Sequence, residues 1–173
     1  MVLLKEMQTL LARLYDAPVA HDINDFLLSD LIRVRDLTGV EAHTDEQVLV
    51  REDQDGVRVG VYISSEVLAR LTKHDPMRAL DDDNLADFCT VLEGVSHFHY
   101  LMWSVNRGRN VSLLELELQA EVDKYATALA LLTRQREGRF PHALHARLFH
   151  HVGFVPTLAT ESRRRYEAAN RLW

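Results

Sequence analysis

Residues 84–106, NLADFCTVLEGVSHFHYLMWSVN, read as one long helix with apolar side chains on nearly every side. A helix that is apolar all round is usually buried. The following stretch at 112–136, SLLELELQAEVDKYATALALLTRQR, also has helical periodicity. Because only the short link 107–110 separates the two, we predict an antiparallel helix pair over 84–136.

Polar residues interrupt the apolar surfaces of both predicted helices. On the first helix they lie within about 60° of one another, at roughly 100° per residue, and on the second they occupy the middle of the apolar face. Gln119 and Asp123 lie off that face, where we expect solvent. Antiparallel packing predicts that the two polar lines meet in one interior cluster. Its predicted members are Glu93, His97, Tyr100, Glu117, Glu121 and Lys124.

This cluster has three interpretations, because its carboxylates cannot all stay charged and unpaired in a dry core. The first is a self-satisfied structural network that holds the helices in register. The second is a site for a divalent metal such as iron, manganese or zinc, held by Glu93, His97, Glu117 and Glu121. Known di-iron bundles space their Glu-x-x-His ligands by three residues, whereas the spacing here is four. The third is a groove that meets a ligand or a partner segment.

A change of period marks a β-hairpin subregion over 38–64. Apolar residues alternate over 48–50 and 57–63, on either side of a polar turn. An isolated hairpin is marginal in water, so it must pack on helices, gain a strand near 40–43 or pair with a partner. Before it, we predict helices over 3–16 and from Asp22 towards Gly39.

Composition places the chain among ordinary globular proteins. It has 173 residues, of which 47% are hydrophobic and 27% charged, with a net charge of −6. We predict a single α+β domain over 1–173, mostly helical, with antiparallel helices and one β-hairpin near the middle of the chain. Cys89, the single cysteine, excludes an internal disulfide. No signal peptide or membrane span is evident, which favours a cytoplasmic location without membrane contact.

The end of the chain, 139–173, is basic and is predicted to form C-terminal helices. Arg163, Arg164 and Arg165 could contact a partner or a nucleic acid. Residues 1–87 carry nine basic and 18 acidic side chains, however, and such an acidic half opposes phosphate binding. We therefore do not expect nucleic acid as the partner.

Common catalytic motifs are absent from the sequence. It has no Gly-rich phosphate loop, no Gly-x-Ser-x-Gly, no His-Glu-x-x-His and no Cys-x-x-Cys. We expect a small cytosolic protein-interaction or regulatory module without catalytic activity or cofactor, whose partner is another protein. One alternative is a metal-dependent or acid–base enzyme centred on the interior Glu/His cluster, with a divalent metal as cofactor. The other is nucleic-acid binding through the C-terminal arginines.

Overall fold

The computed structural model describes residues 1–28, 34–35, 44–54 and 56–149. The helices are α1 (Val2–Tyr15), α2 (Ser65–Lys73), α3 (Leu85–Val105), α4 (Leu113–Gln135) and α5 (Leu144–Phe149). The strands are β1 (Leu27–Leu28), β2 (Glu46–Asp53) and β3 (Gly56–Ile63). This order of elements confirms the predicted α+β class, mostly helical.

Helices α3 and α4 form the central antiparallel pair, with bounds close to those predicted. The tight turn between them includes Gly108 at φ +64°, a left-handed conformation that glycine adopts without strain. Ser112 and Glu115 then close a capping box that starts α4. Helix α3 packs against α1, α2, α4 and the two long strands, and Phe88 and Phe98 on it are completely buried.

The sheet contains the predicted hairpin and one further strand. Strands β2 and β3 pair antiparallel as expected, with Val50 opposite Val59, but β1 adds a parallel neighbour, so the order is β1-β3-β2. The apolar face of β3 carries Val61 and Ile63, both completely buried in the core shared with α3. The strand near 40–43, one of three alternatives for completing the hairpin, lies outside the described residues.

The prediction of a helix that begins near Asp22 is wrong over residues 23–28. The Asp22 side chain accepts a hydrogen bond from the Asn24 backbone N–H, and a 3-10 turn, Ile23–Phe26, follows. Leu27 then pairs with Val61 in the sheet. The burial gained beside β3 outweighs the helical spacing of the leucines, which is a weak local preference.

The basic C-terminal region is described only in part. Helix α5 covers Leu144–Phe149, and its Arg147 forms an ion pair with Asp82. The arginines at 163–165 lie outside the described residues. Among the residues that are described, no helix combines the length and apolar composition that crossing a bilayer needs.

Candidate metal centre

The interface between α3 and α4 brings five of the predicted site residues together. Glu93 and His97 come from α3, whereas Glu117, Glu121 and Lys124 come from α4. The Lys124 Nζ lies 2.6 Å from Glu93 Oε2 and 2.8 Å from Glu121 Oε1, so one buried ammonium joins two carboxylates. The side chains of all five are between 8% and 13% exposed.

A sixth member, Glu46, reaches the cluster from the first residue of β2. Its side chain is 9% exposed and lies over Gly94 of α3. A Cβ at position 94 would lie 2.9 Å from Glu46 Cγ, which is closer than a real contact allows. Glycine within a helix costs about 0.5–1 kcal/mol relative to alanine, and here it makes room for the carboxylate. We call these six residues the Glu/His cluster: Glu46, Glu93, His97, Glu117, Glu121 and Lys124.

His97 lies between two carboxylates without a hydrogen bond to either of them. Its Nδ1 is 3.6 Å from Glu46 Oε1, and its Nε2 is 4.0 Å from Glu117 Oε2. Both distances exceed that of a good hydrogen bond. Within the described part of the chain, Glu46 Oε1, His97 Nε2 and Glu117 Oε2 are buried atoms with no hydrogen-bond partner. Leaving such an atom unsatisfied typically costs about 1–3 kcal/mol, or more when it is charged.

Burial and charge shift the protonation of these groups. Burial alone favours a neutral imidazole, but the close Glu46 carboxylate, with Glu93 and Glu117, outweighs it and raises the pKa of His97 to about 9. Burial raises the pKa of Glu117 to about 7 and also raises the pKa of Glu46. For Lys124, attraction to Glu93 and Glu121 outweighs burial and raises the pKa, so the ammonium stays charged.

The charges of the Glu/His cluster do not balance. Lys124 offsets one of the two negative charges of Glu93 and Glu121. Among the described residues, the basic group nearest to Glu46 and Glu117 is the His97 imidazole. If all four carboxylates are ionised, two positive charges face four negative ones even with His97 protonated. In that ionised state, which a metal ion would require, the cluster has a shortage of positive charge beside the unsatisfied atoms.

The potential ligand set differs from the one predicted from spacing. Ligand atoms of Glu46, Glu93 and His97 lie within 4.8 Å of one another. Of the other two predicted ligands, Glu121 pairs with Lys124, and Glu117 faces the opposite edge of the His97 ring.

Two residues differ in position from their predicted places. Tyr100 stacks on the Trp103 ring, at 6.1 Å between ring centroids, and its described contacts do not reach the Glu/His cluster. Asp123, expected in solvent, is only 2% exposed, because α1 covers that side of α4.

Asp123 centres a separate hydrogen-bond network. It accepts hydrogen bonds from Tyr15 Oη at 2.5 Å, Ser96 Oγ at 2.6 Å and Gln119 Nε2 at 2.8 Å. Both carboxylate oxygens therefore have donors. Burial nevertheless raises the pKa of Asp123, against these hydrogen bonds, which lower it. We call these four residues the Asp123 network.

Comparison with protein-family models, curated proteins and solved structures finds no match to this chain. The geometry of the Glu/His cluster therefore carries the functional interpretation.

Proposed function

We propose that this protein binds one divalent transition-metal ion through Glu46, Glu93 and His97. One observation carries the proposal: ligand atoms of three largely buried side chains from β2 and α3 lie within 4.8 Å of one another. The unsatisfied buried atoms and the shortage of positive charge around them support it. A divalent cation would supply both the missing charge and the missing partners.

The chemistry of the ligands favours manganese, iron or zinc. Carboxylates suit manganese as well as magnesium and calcium, whereas an imidazole suits zinc, copper, iron and nickel, so two carboxylates with one imidazole form a mixed set. Ligand atoms on one such ion lie about 2.0–2.2 Å from it, hence no more than roughly 4.4 Å apart. A modest inward movement of side chains that now lie within 4.8 Å of one another is sufficient to form the site.

Glu117 fits the role of a supporting residue for the imidazole. It faces Nε2, whereas Glu46 faces Nδ1. A metal-bound histidine usually donates its other ring N–H to a carboxylate or a carbonyl, which fixes the orientation of the ring. With the ion at the Nδ1 edge, the Nε2–H would donate to Glu117 and give that carboxylate the partner it lacks.

The ion would connect the sheet to the helix pair. Glu46 belongs to β2, Glu93 and His97 belong to α3, and the supporting residue Glu117 belongs to α4. Since the side chains of the three proposed ligands are at least 88% buried, we propose primarily a structural ion that fixes these elements. Binding to the folded chain alone stabilises it in proportion to the logarithm of the free ion concentration.

Metal titration tests the proposal directly. Protein purified without a histidine tag and stripped with a chelator is titrated with Mn²⁺ and Zn²⁺ by calorimetry, and bound metal is then counted by mass spectrometry. We expect one ion per chain, with at least tenfold weaker binding in Glu46→Gln and His97→Ala. Exposed residues supply matched controls, Glu6→Gln and His142→Ala, which should bind as the wild type does. Failure of the wild type to bind either ion contradicts the proposal.

A protein-interaction role is a second candidate, because β2 lies at the edge of the described sheet. An extended partner segment could pair with such an edge. This partner, like the cytoplasmic location, stays a prediction from sequence. A partner strand would protect β2 amides from hydrogen exchange, whereas binding elsewhere would leave their exchange unchanged.

A further inference from the structure

Lys124 lies between two carboxylates of the Glu/His cluster. Its Nζ contacts Glu93 Oε2 at 2.6 Å and Glu121 Oε1 at 2.8 Å, and its side chain is 12% exposed. Glu93 is shared: it contacts Lys124 and also belongs to the ligand set with Glu46 and His97. In sites with two metals, the ions lie about 3.5–4 Å apart and often share a carboxylate.

We propose that the Lys124 ammonium replaces a second metal ion, so that the site accepts one ion where its carboxylates could hold two. The proposal rests on the function proposed above. It assigns Lys124 a role in setting how many ions bind, beyond its ion pairs.

Charge explains why one lysine has this effect. With Lys124 and one divalent ion present, and His97 neutral as a ligand, the four carboxylates keep one uncompensated negative charge. Without Lys124 the carboxylates keep two uncompensated negative charges, which one further divalent ion would neutralise. Removing the side chain also leaves free space between the two oxygens that Nζ now joins. Charge and space thus both favour a second ion beside Glu93 and Glu121.

The test counts ions in three variants. Lys124→Ala removes both the charge and the volume, and Lys124→Arg keeps the charge as a matched control. Lys124→Ala combined with Glu121→Gln removes a carboxylate that the second ion needs. Mn²⁺ is added to each protein, and bound ions are counted after removal of the excess.

We expect one ion in the wild type, two in Lys124→Ala, no more than one in Lys124→Arg and one in the double variant. Electron paramagnetic resonance supplies a second readout, because two neighbouring Mn²⁺ ions couple and lose the six-line signal of an isolated ion. A purely structural lysine would change neither the count nor the spectrum.

The outcomes separate the two proposals. If the wild type binds no ion, the proposed function fails. If the wild type and Lys124→Ala each bind one ion, only the role of Lys124 fails. If Lys124→Ala is unfolded without metal, refolding in Mn²⁺ should recover it with two ions per chain, and recovery with one ion, or no recovery, overturns the inference.

Discussion

Two acidic networks are centred on the α3–α4 pair and differ in how far their polar atoms are satisfied. In the Asp123 network, one carboxylate receives three donors from Tyr15, Ser96 and Gln119. In the Glu/His cluster, buried atoms of Glu46, His97 and Glu117 have no hydrogen-bond partner among the described residues.

The difference separates a structural network from a candidate site. A fully satisfied buried network fixes the packing of helices and leaves no place for a ligand. Unsatisfied buried atoms cost free energy unless something else supplies the partner. Changes to the Asp123 network should therefore alter stability alone, whereas changes to the Glu/His cluster should alter metal binding as well.

The largest effect on stability is expected from Lys124→Met in metal-free protein. The change leaves Glu93 and Glu121 buried without their cation, and breaking such a pair typically costs about 3–5 kcal/mol. Urea unfolding measures it. Lys5, whose ion pair with Asp22 is largely exposed, gives the control Lys5→Met, which should cost about 1 kcal/mol or less. The double variant Lys124→Met with Glu121→Gln tests whether the two residues are coupled. It should lose less stability than the sum of the two single variants. Additive losses of a few tenths of a kcal/mol would contradict a coupled cluster.

Metal-free protein should lose stability as the pH rises from 6 to 9. The pKa of His97 rises from an ordinary value of about 6.5 to about 9, so its stabilisation is present below 6.5 and is lost as pH passes 9. The pKa of Glu117 rises to about 7, so its ionisation also destabilises the fold in this range. We expect a loss on the order of 2–3 kcal/mol, measured by urea unfolding with a chelator present.

A variant separates the cluster from other titrating groups. His97→Gln cannot gain or lose a proton in this range, so its stability should depend less on pH than that of the wild type. Equal slopes for the two proteins, or wild-type stability that rises with pH, would show that His97 is not held protonated by its carboxylate neighbours.

Asp123→Asn should cost about 2 kcal/mol, because one acceptor atom becomes a donor that faces the existing donors. Metal binding should not change, since none of the proposed ligands belongs to the Asp123 network. Thermal unfolding with and without Mn²⁺ measures both effects. The control is Asp25→Asn, at an exposed position. A loss of metal binding in Asp123→Asn would show that the Asp123 network and the Glu/His cluster are coupled.

Gly94→Ala should have the smallest effect on stability and a clear effect on binding. The added Cβ collides with the Glu46 side chain at 2.9 Å, while alanine improves the helix by about 0.5–1 kcal/mol. We expect a net change of no more than about 1 kcal/mol and at least tenfold weaker Mn²⁺ binding by calorimetry. Unchanged affinity would show that Glu46 is not a ligand.

The sequence predicted the helix pair and most of the cluster because both depend on a local repeat. The spacing of residues within α3 and α4 determines which side chains lie on the facing surfaces. The short turn determines which of them lie opposite each other along the helix axes. Glu46 could not be found this way, since neither strand alternation nor helical periodicity encodes how a strand docks on a helix. Gly94 was the available signal: a glycine inside an otherwise apolar helix often marks a close approach of another element.

Two further differences between the sequence predictions and the structure also arise from contacts between elements that are distant in sequence. Asp123 lies off the apolar face of α4, and the α3–α4 pair alone gives no reason to bury it. It is buried because α1 packs over that side of α4. Strand β1 has only two residues, Leu27–Leu28, too few for alternation to be visible. Local patterns thus describe each element well, whereas contacts between elements distant in sequence require the fold.

Anomalous scattering from a crystal grown with Mn²⁺ tests the central claim most directly. Data collected on either side of the manganese absorption edge locate the ion without reference to any assumed site. We predict one strong anomalous peak, within bonding distance of Glu46, Glu93 and His97, and none in the Asp123 network. A crystal without a peak among these three side chains would contradict the proposed metal centre.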